Sequence, residues 1–127
     1  MDITPRIASD RMVIQSYKDG QFKVSGQVFD GSVLVYGGEA LPWCAAKSLE
    51  DLTEDDLAPI VASKQRGEFE VLLMGTGQDF KFLKPALKAY LQKNGITPDM
   101  MNTGAACRTF NVLLAESRAV CAAMLTA

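Results

Sequence analysis

The sequence predicts a single α/β domain, and two patterns along the chain indicate this fold class. Short β-type runs separated by glycine turns fill the first third of the chain. Strand-type and helix-type segments then alternate through the second half, which is typical of a sheet whose strands are joined by right-handed helical crossovers. The length of 127 residues is that of one domain. We expect residues 1–11 to be an N-terminal extension and residues 12–127 to form the domain.

Three strands are expected in the first part of the chain: Met12–Tyr17, Phe22–Phe29 and Val33–Tyr36. Asp-Gly pairs separate these runs, and glycine tolerates the positive φ that tight hairpin turns require. Polar and apolar residues alternate in the second run, which predicts one buried face. We expect the resulting hairpins to stack on the main sheet.

A helix is expected after Thr53, because Thr53 and Asp56 have the spacing of a capping box. Pro59 is expected to break or restart this helix. Acidic residues surround the helix start, and they are interpreted either as a solvated, capping face or as a docking patch for a basic partner. This acidic run contains Glu50, Asp51, Glu54, Asp55 and Asp56.

The second half of the chain predicts three strands that alternate with two helices. Its first strand is an apolar run, which is typical of a strand covered on both faces. Pro85 is well placed in the first turn of the next helix, and Gly95 ends that helix. The expected strands are Glu70–Met74, Ile96–Met101 and Ala119–Leu125, and the expected helices run from Pro85 to Asn94 and from about Ala105 to Ser117.

The composition excludes several classes of function. A net charge of −2 leaves no concentrated positive field for nucleic acid. The absence of histidine removes the usual general base and the most common metal ligand. The three cysteines lack a CxxC spacing, so we expect neither a metal site nor a disulfide framework, and we expect a reducing, cytoplasmic location. No cofactor is expected. No membrane-spanning helix is expected either, since no apolar stretch approaches about 18 residues.

The start of the last helix is the strongest candidate for a binding site. Thr103 is expected to cap this helix, and the small residues Gly104 and Ala105 leave its first backbone N–H groups open to a ligand. The alternative is that these small residues only let the helix pack closely on the sheet. A second loop, Gly75-Thr76-Gly77, follows the apolar strand at the position where open α/β sheets place ligands. A crevice between the two loops would suit a carboxylate or phosphate group.

Three other residues of the last helix flank this candidate site. The helix dipole and Arg108 favour a thiolate at Cys107, but the neighbouring core positions predict that the thiol is buried and is not a nucleophile. Arg108 is interpreted either as a solvated residue or as a contact to an anion or a partner carboxylate. Asn111 is expected to bond a loop backbone or to line a pocket.

A family resemblance rests on four parts of the sequence: Asp30–Val35, Trp43, Val71–Gly77 and, above all, Thr103–Glu116. In these parts the chain resembles a family of small domains of unknown function that includes mitochondrial complex I assembly factor 3. The resemblance implies a three-layer fold, with a central mixed sheet and a β-hairpin-rich addition packed against it. It implies no catalytic residues. Many members carry Asp where this chain has Asn102 and Tyr where it has Phe110, which lowers the expectation of an enzyme.

The main functional hypothesis is therefore a non-enzymatic protein-interaction domain of the assembly-factor type, with a respiratory complex as its target. Its partner surface is expected to use the acidic run at Glu50–Asp56 or the helix that carries Arg108. The alternative hypothesis is a small-molecule or anion-binding protein, or an enzyme, that uses the crevice between Gly75–Gly77 and Thr103–Ala105. A homo-oligomer is compatible with either hypothesis.

Overall fold

The computed structural model describes residues 13–36 and 38–126, which form two β-sheets and three α-helices. The smaller sheet is antiparallel and contains β1 (Ile14–Lys18), β2 (Gln21–Val24) and β3 (Gln27–Asp30). The larger sheet contains β4 (Val33–Tyr36), β5 (Glu39–Pro42), β6 (Val71–Gly75), β7 (Pro98–Met101) and β8 (Val120–Met124). The helices are α1 (Glu54–Gln65), α2 (Pro85–Lys93) and α3 (Thr103–Ala115), with a short 3-10 helix at Leu49–Asp51.

The larger sheet is mixed and has the strand order β5-β4-β8-β6-β7. Strand β6 is parallel to both of its neighbours, β7 and β8, whereas β4 is antiparallel to β5 and β8. The apolar strands predicted in the second half of the chain, β6 and β8, are therefore in the interior of this sheet, as expected. A strand covered on both faces has to be apolar throughout, which explains their composition.

Two apolar clusters lie on opposite faces of the larger sheet. Leu72 and Met74 of β6 face the cluster that contains α1 and α2. Leu73, between them in β6, faces the cluster that contains α3 and the smaller sheet, including Phe22 and Phe110. The alternation follows from the pleat of the strand. The predicted three-layer α/β fold is thus confirmed, with the smaller sheet as the β-rich addition.

The predicted strand Phe22–Phe29 is wrong, because the chain reverses in its middle. Ser25 and Gly26 adopt positive φ angles of 43° and 87° and join β2 to β3. Positive φ is accessible to glycine at little cost, and this Ser-Gly turn lacks the Asp-Gly pattern that marks the neighbouring turns. Met12, the expected first residue of the first strand, lies outside the described residues.

The strand at Val33–Tyr36 was expected to stack on the main sheet, but it is part of that sheet. It pairs with both β5 and β8, and all four of its residues are buried. Its uninterrupted apolar composition suits an interior position better than a half-exposed hairpin. Strand β5, its edge partner, was not predicted.

The prediction that Pro59 interrupts α1 is also wrong, since the helix runs from Glu54 to Gln65. A proline removes one hydrogen bond to the carbonyl four residues earlier, here that of Asp55. Both residues are exposed, so water is able to solvate this carbonyl. The expected cap is observed: the backbone N–H of Thr53 donates to Asp56 Oδ2 at 2.9 Å.

Candidate functional site

The two predicted loops meet at the carboxyl ends of β6 and β7. Because these strands are parallel neighbours, the residues that follow them lie side by side. The N–H of Thr76 donates to the carbonyl of Met101 at 2.9 Å, and the N–H of Thr103 donates to the carbonyl of Gly77 at 2.8 Å. We call the loop Gly75–Gly77 together with Thr103–Ala105 the β6–α3 junction.

The side chain of Thr103 is buried at the centre of this junction. Its Oγ1 accepts a hydrogen bond from the N–H of Gly77 at 2.9 Å and donates one to the carbonyl of Leu125 at 2.6 Å. The expectation that Thr103 caps α3 is therefore wrong. The cap is Asn102, whose Oδ1 accepts from the N–H of Ala105 at 2.8 Å. The helix begins one residue earlier than that expectation required, which turns the threonine hydroxyl towards the sheet.

Most of the backbone donors of the junction are thus bonded within the protein. The N–H groups of Gly77, Thr103 and Ala105, which a bound anion would need, all have partners within the protein. A Cβ atom at Gly75 would lie 2.7 Å from the Sδ of Met124 and 2.9 Å from the Oγ1 of Thr103, so the absence of a side chain there lets both side chains lie against β6. In this structure the small residues of the junction serve close packing.

Open space is found beside the junction. Arg108 and Tyr17 line two adjoining grooves, and the exposed Arg108 forms no ion pair with any described residue. One groove, of about 300 Å³, is lined by Tyr17, Gly77, Gln78, Asn102, Gly104 and Arg108. The other, of about 420 Å³, is lined by Ile14, Gln15, Ser16, Tyr17, Cys107, Arg108 and Asn111.

Tyr17 was not singled out in the sequence, yet it covers the start of α3. A Cβ atom at Gly104 would collide with the Tyr17 hydroxyl, which shows how closely this ring approaches the helix backbone. The two residues belong to β1 and α3 and are far apart in the chain. No local sequence pattern could have paired them.

Asn111 connects α3 to β1 through both of its polar atoms. Its Oδ1 accepts from the N–H of Ile14 at 3.1 Å, and its Nδ2 donates to the carbonyl of the same residue at 2.8 Å. Asn111 was expected to bond a loop backbone or to line a pocket; it bonds the backbone of a strand instead of a loop, and it lines one of the two grooves. Since both groups are used, Asn111 holds the smaller sheet on the helix.

Cys107 lies in the core below Arg108. Burial raises the pKa of the Cys107 thiol to about 12, and this effect exceeds the opposing attraction of Arg108. Burial likewise raises the pKa of Cys121. Both thiols are therefore protonated at neutral pH, and a protonated thiol is a poor nucleophile.

The acidic run is partly occupied by contacts within the protein. Glu50 pairs with Lys81 at 3.1 Å, and a hydrogen bond from Lys81 lowers the pKa of this carboxyl. Asp56 caps α1, and its carbonyl accepts from Trp43 Nε1 at 2.8 Å. Capping and solvation thus account for part of this run. Asp51 also accepts a hydrogen bond, from the side chain of Ser48.

The described residues contain neither a metal cluster nor a membrane-spanning helix. No three cysteine, aspartate or glutamate side chains in this part of the chain come together as a metal site would require. None of its helices has the length and the apolar composition needed to cross a membrane.

A third groove, beside α2, was missed by sequence reasoning. It has a volume of about 410 Å³, and two aromatic rings form part of its wall. We call it the Phe82 groove; it is lined by Phe80, Phe82, Leu83, Pro85, Lys88, Pro98 and Met100. Its only signal in the sequence is the pair of phenylalanines in an otherwise polar loop.

Comparison with known families gives a match over most of the chain. Residues 14–125 match the family described as a protein of unknown function (DUF498/DUF598). The chain belongs to this family. The resemblance drawn from the four sequence segments is thereby confirmed.

Several curated proteins are similar to this chain. An uncharacterised protein of Rhodobacter capsulatus is 36% identical over 112 residues, which cover 88% of this chain and 82% of that protein. The NADH dehydrogenase [ubiquinone] 1 alpha subcomplex assembly factor 3 of Xenopus tropicalis is 28% identical over 94% of this chain. The human protein of the same name is 27% identical over 98% of this chain. The matches span 64% of the frog protein and 66% of the human one.

Solved structures share the fold. A protein described as an outer membrane protein from Bartonella henselae is 34% identical, with a TM-score of 0.81 and coverage of 91% of this chain and 95% of that one. A Bordetella parapertussis protein is 30% identical, with a TM-score of 0.80 and coverage of 94% and 99%. A Bordetella pertussis Mth938-like domain is 25% identical, with a TM-score of 0.79 and coverage of 98% and 92%.

The two departures from the family pattern both have a place in the structure. Asn102 caps α3 with a side-chain oxygen, which an aspartate would also supply. Phe110 is buried in the core between α3 and the larger sheet. Asn102 therefore has a structural role as a helix cap, and Phe110 is a core residue.

Proposed function

We propose that this chain is a protein-interaction domain of the assembly-factor type that acts on a respiratory complex. The observation that carries the proposal is that its frog and human relatives, which match 94% and 98% of this chain, are named as assembly factors of NADH dehydrogenase. The β6–α3 junction supports this, because the N–H groups of Gly77, Thr103 and Ala105 are already bonded within the protein. The high pKa of Cys107, about 12, gives further support, since it disfavours a thiolate nucleophile.

Of the two expected partner surfaces, the exposed face of α3 is favoured over the acidic run. Arg108 is exposed and forms no ion pair with the described residues, and Val112, one turn later, is 48% exposed. A charged side chain next to an exposed apolar one is suited to a protein contact. The acidic run is less available, since Glu50 and Asp56 bond within the chain.

The test is affinity purification of the tagged chain from both the membrane and the cytosolic fractions of its native host. We expect reproducible recovery of respiratory-complex subunits with the wild-type chain and a reduced recovery with Arg108→Glu. Lys23→Glu is the matched control, since it makes the same charge change at an exposed position of β2. Recovery of no subunit from either fraction, or equal loss with both variants, would contradict the proposal.

A second candidate function is binding of a small anion at Arg108. The observation that favours it is the position of this guanidinium between two grooves, where it forms no ion pair with any residue that the structure describes. Phosphate should then raise the melting temperature of the wild-type protein more than that of Arg108→Gln, while Lys23→Gln responds like wild type. An equal response of all three proteins would exclude this function.

A further inference from the structure

The Phe82 groove has two phenylalanine side chains that are largely exposed to solvent. Phe82 is 83% exposed and Phe80 is 49% exposed. Their rings contact each other edge to face, with centroids 4.9 Å apart. Aromatic side chains contribute strongly to stability when they are buried, so two that remain in water at a groove suit a contact with another molecule.

The floor of the groove is apolar and continues to the edge of the larger sheet. Pro98 and Met100 belong to β7, which is the edge strand next to β6. Asp99 lies between them in the strand and therefore faces the opposite side of the sheet. The volume of about 410 Å³ is sufficient for one or two large apolar side chains.

Lys88 supplies the only charge among the residues that line the groove. It is exposed and forms no hydrogen bond or ion pair with any described residue. The two neighbouring lysines are engaged elsewhere: Lys81 pairs with Glu50, and Lys84 Nζ donates to the carbonyl of Leu52 at 3.3 Å. As far as the structure describes the chain, the groove thus combines apolar walls with one cation, Lys88, that has no partner.

This charge distribution discriminates between possible occupants. A second copy docked symmetrically on the groove would offer Lys88 no carboxylate, because none of the described residues that line the groove is acidic. An anionic bilayer is recognised by clusters of about 4–8 lysines or arginines, whereas Lys88 is the one basic residue among the described residues that line the groove. A protein segment that carries one carboxylate beside an apolar side chain complements the groove in both respects.

We propose that the Phe82 groove binds a segment of a partner protein in which a large apolar side chain lies close to an aspartate or glutamate. The apolar side chain contacts Phe80, Phe82 and the floor of the groove. The carboxylate pairs with Lys88. This inference rests on the proposed function only in taking the partner to be a protein, and it adds a surface distinct from the exposed face of α3.

The first experiment places the photo-crosslinking residue p-benzoylphenylalanine at position 82 of the full chain in its native host. Position 28 is the matched control, since Val28 is an apolar residue that is 60% exposed on β3 of the smaller sheet. We expect irradiation to join position 82, and not position 28, to a protein segment in which an apolar side chain lies within a few residues of a carboxylate. The joined segment is identified by mass spectrometry.

The second experiment uses a synthetic peptide of the joined segment and the purified chain. We expect Phe82→Ser and Lys88→Glu each to weaken peptide binding at least about tenfold, while Val28→Ser leaves it unchanged. A peptide whose carboxylate is replaced by lysine should bind Lys88→Glu better than it binds the wild-type chain. This exchange of charges separates a direct pairing from a general loss of structure.

Several results would overturn the inference. The first is a crosslinked product at position 82 that contains only lipid or a second copy of the chain. The second is a crosslinked segment without a carboxylate, and the third is the same set of products from positions 82 and 28. An absence of any product, or a Lys88→Glu variant that binds the peptide normally, would also overturn it. If respiratory subunits still copurify with the Phe82→Ser chain in those cases, the proposed function stands and only the groove assignment fails.

Discussion

The segment that follows β6 contains two regions with opposite environments. Thr76 is 3% exposed and bonds to its surroundings through both its backbone and its hydroxyl. Phe82, six residues later, is 83% exposed. A polar residue is thus buried and an aromatic residue is in water within one loop, which reverses the usual distribution.

The difference shows that loop composition alone does not indicate where a partner binds. The β6–α3 junction has the small and hydroxyl residues that are typical of an anion site, yet the N–H groups of Gly77, Thr103 and Ala105 are bonded within the chain. The Phe82 groove has the apolar residues that are typical of a core, yet it faces solvent. What decides the role of each region is whether neighbouring elements complete its hydrogen bonds and cover its surface.

The largest expected effect concerns Thr103 in the junction. Thr103→Val keeps the shape of the side chain but leaves the N–H of Gly77 and the carbonyl of Leu125 without their partner. We expect the free energy of unfolding to fall by about 2–4 kcal/mol, since each buried unsatisfied group costs about 1–3 kcal/mol. Urea denaturation measures this change. Thr103→Ser retains the hydroxyl and should lose clearly less; equal stability of Thr103→Val and wild type would contradict the role of this side chain.

The next effect concerns the thiol of Cys107 at high pH. The folded thiol keeps its proton up to a pKa of about 12, whereas the unfolded thiol ionises near pH 9. Stability is therefore lost as the pH rises through this window, by about 1.4 kcal/mol per pH unit at most. Relative to Cys107→Ala, the free energy of unfolding of the wild-type protein should fall by about 1.6 kcal/mol between pH 9 and about pH 10.5, since the unfolded thiol is half ionised at pH 9.

Denaturation of both proteins at several pH values provides the measurement. Thiol labelling of the folded protein at neutral pH should also be slow at Cys107. Parallel pH profiles for the two proteins, or rapid selective labelling of this thiol, would show that Cys107 is accessible and would favour a reactive role for it.

Replacing Gly75 or Gly104 with alanine tests whether the atoms around each glycine are able to move. Gly75→Ala places a Cβ atom against Met124 and Thr103, and overpacking of this kind costs about 1–3 kcal/mol. Gly104→Ala meets only the hydroxyl end of Tyr17, which is partly exposed, and alanine favours the helix by up to about 1 kcal/mol. We expect the second variant to unfold with nearly wild-type free energy. Similar losses in both variants would mean that Tyr17 cannot move.

The smallest expected effect is on the stability of the groove variant. Phe82→Ser should change the free energy of unfolding by no more than about 0.5 kcal/mol, because the side chain is almost fully exposed. Val28→Ser serves as the control at another exposed apolar position. Thermal denaturation of the two variants measures the effect. A loss well above 1 kcal/mol for Phe82→Ser alone would assign this residue to the fold and weaken its role in binding.

The predictable part of this protein is the part with local causes. The cap at Thr53 and Asp56 depends on residues three positions apart, and the sequence indicated it correctly. The apolar runs of β6 and β8 predicted interior strands because burial on both faces demands such a composition. The turn at Ser25 and Gly26 was missed because its residues only weakly mark a reversal of the chain.

The candidate site was predictable only in its position. Parallel neighbouring strands bring the loop Gly75–Gly77 next to Thr103, as the order of elements implied. The bonds that Thr103 then forms were not predictable, since one of them joins Leu125 at the far end of the chain. The partner of Asn111, Ile14, is 97 residues away. These hydrogen-bond partners depend on how separate elements of the fold pack together.

The sequence by itself determined the α/β class, the interior strands, the cap of α1 and the family. These features depend on composition and on the spacing of residues close together in the chain, which do not require the folded structure. Only the tertiary structure decided that Val33–Tyr36 joins the larger sheet, that Thr103 bonds across the junction and that Phe82 stays in water. The physical reason is that hydrogen-bond satisfaction and burial are properties of surfaces in contact. Those surfaces come from residues that are distant in the sequence and meet only in the folded protein.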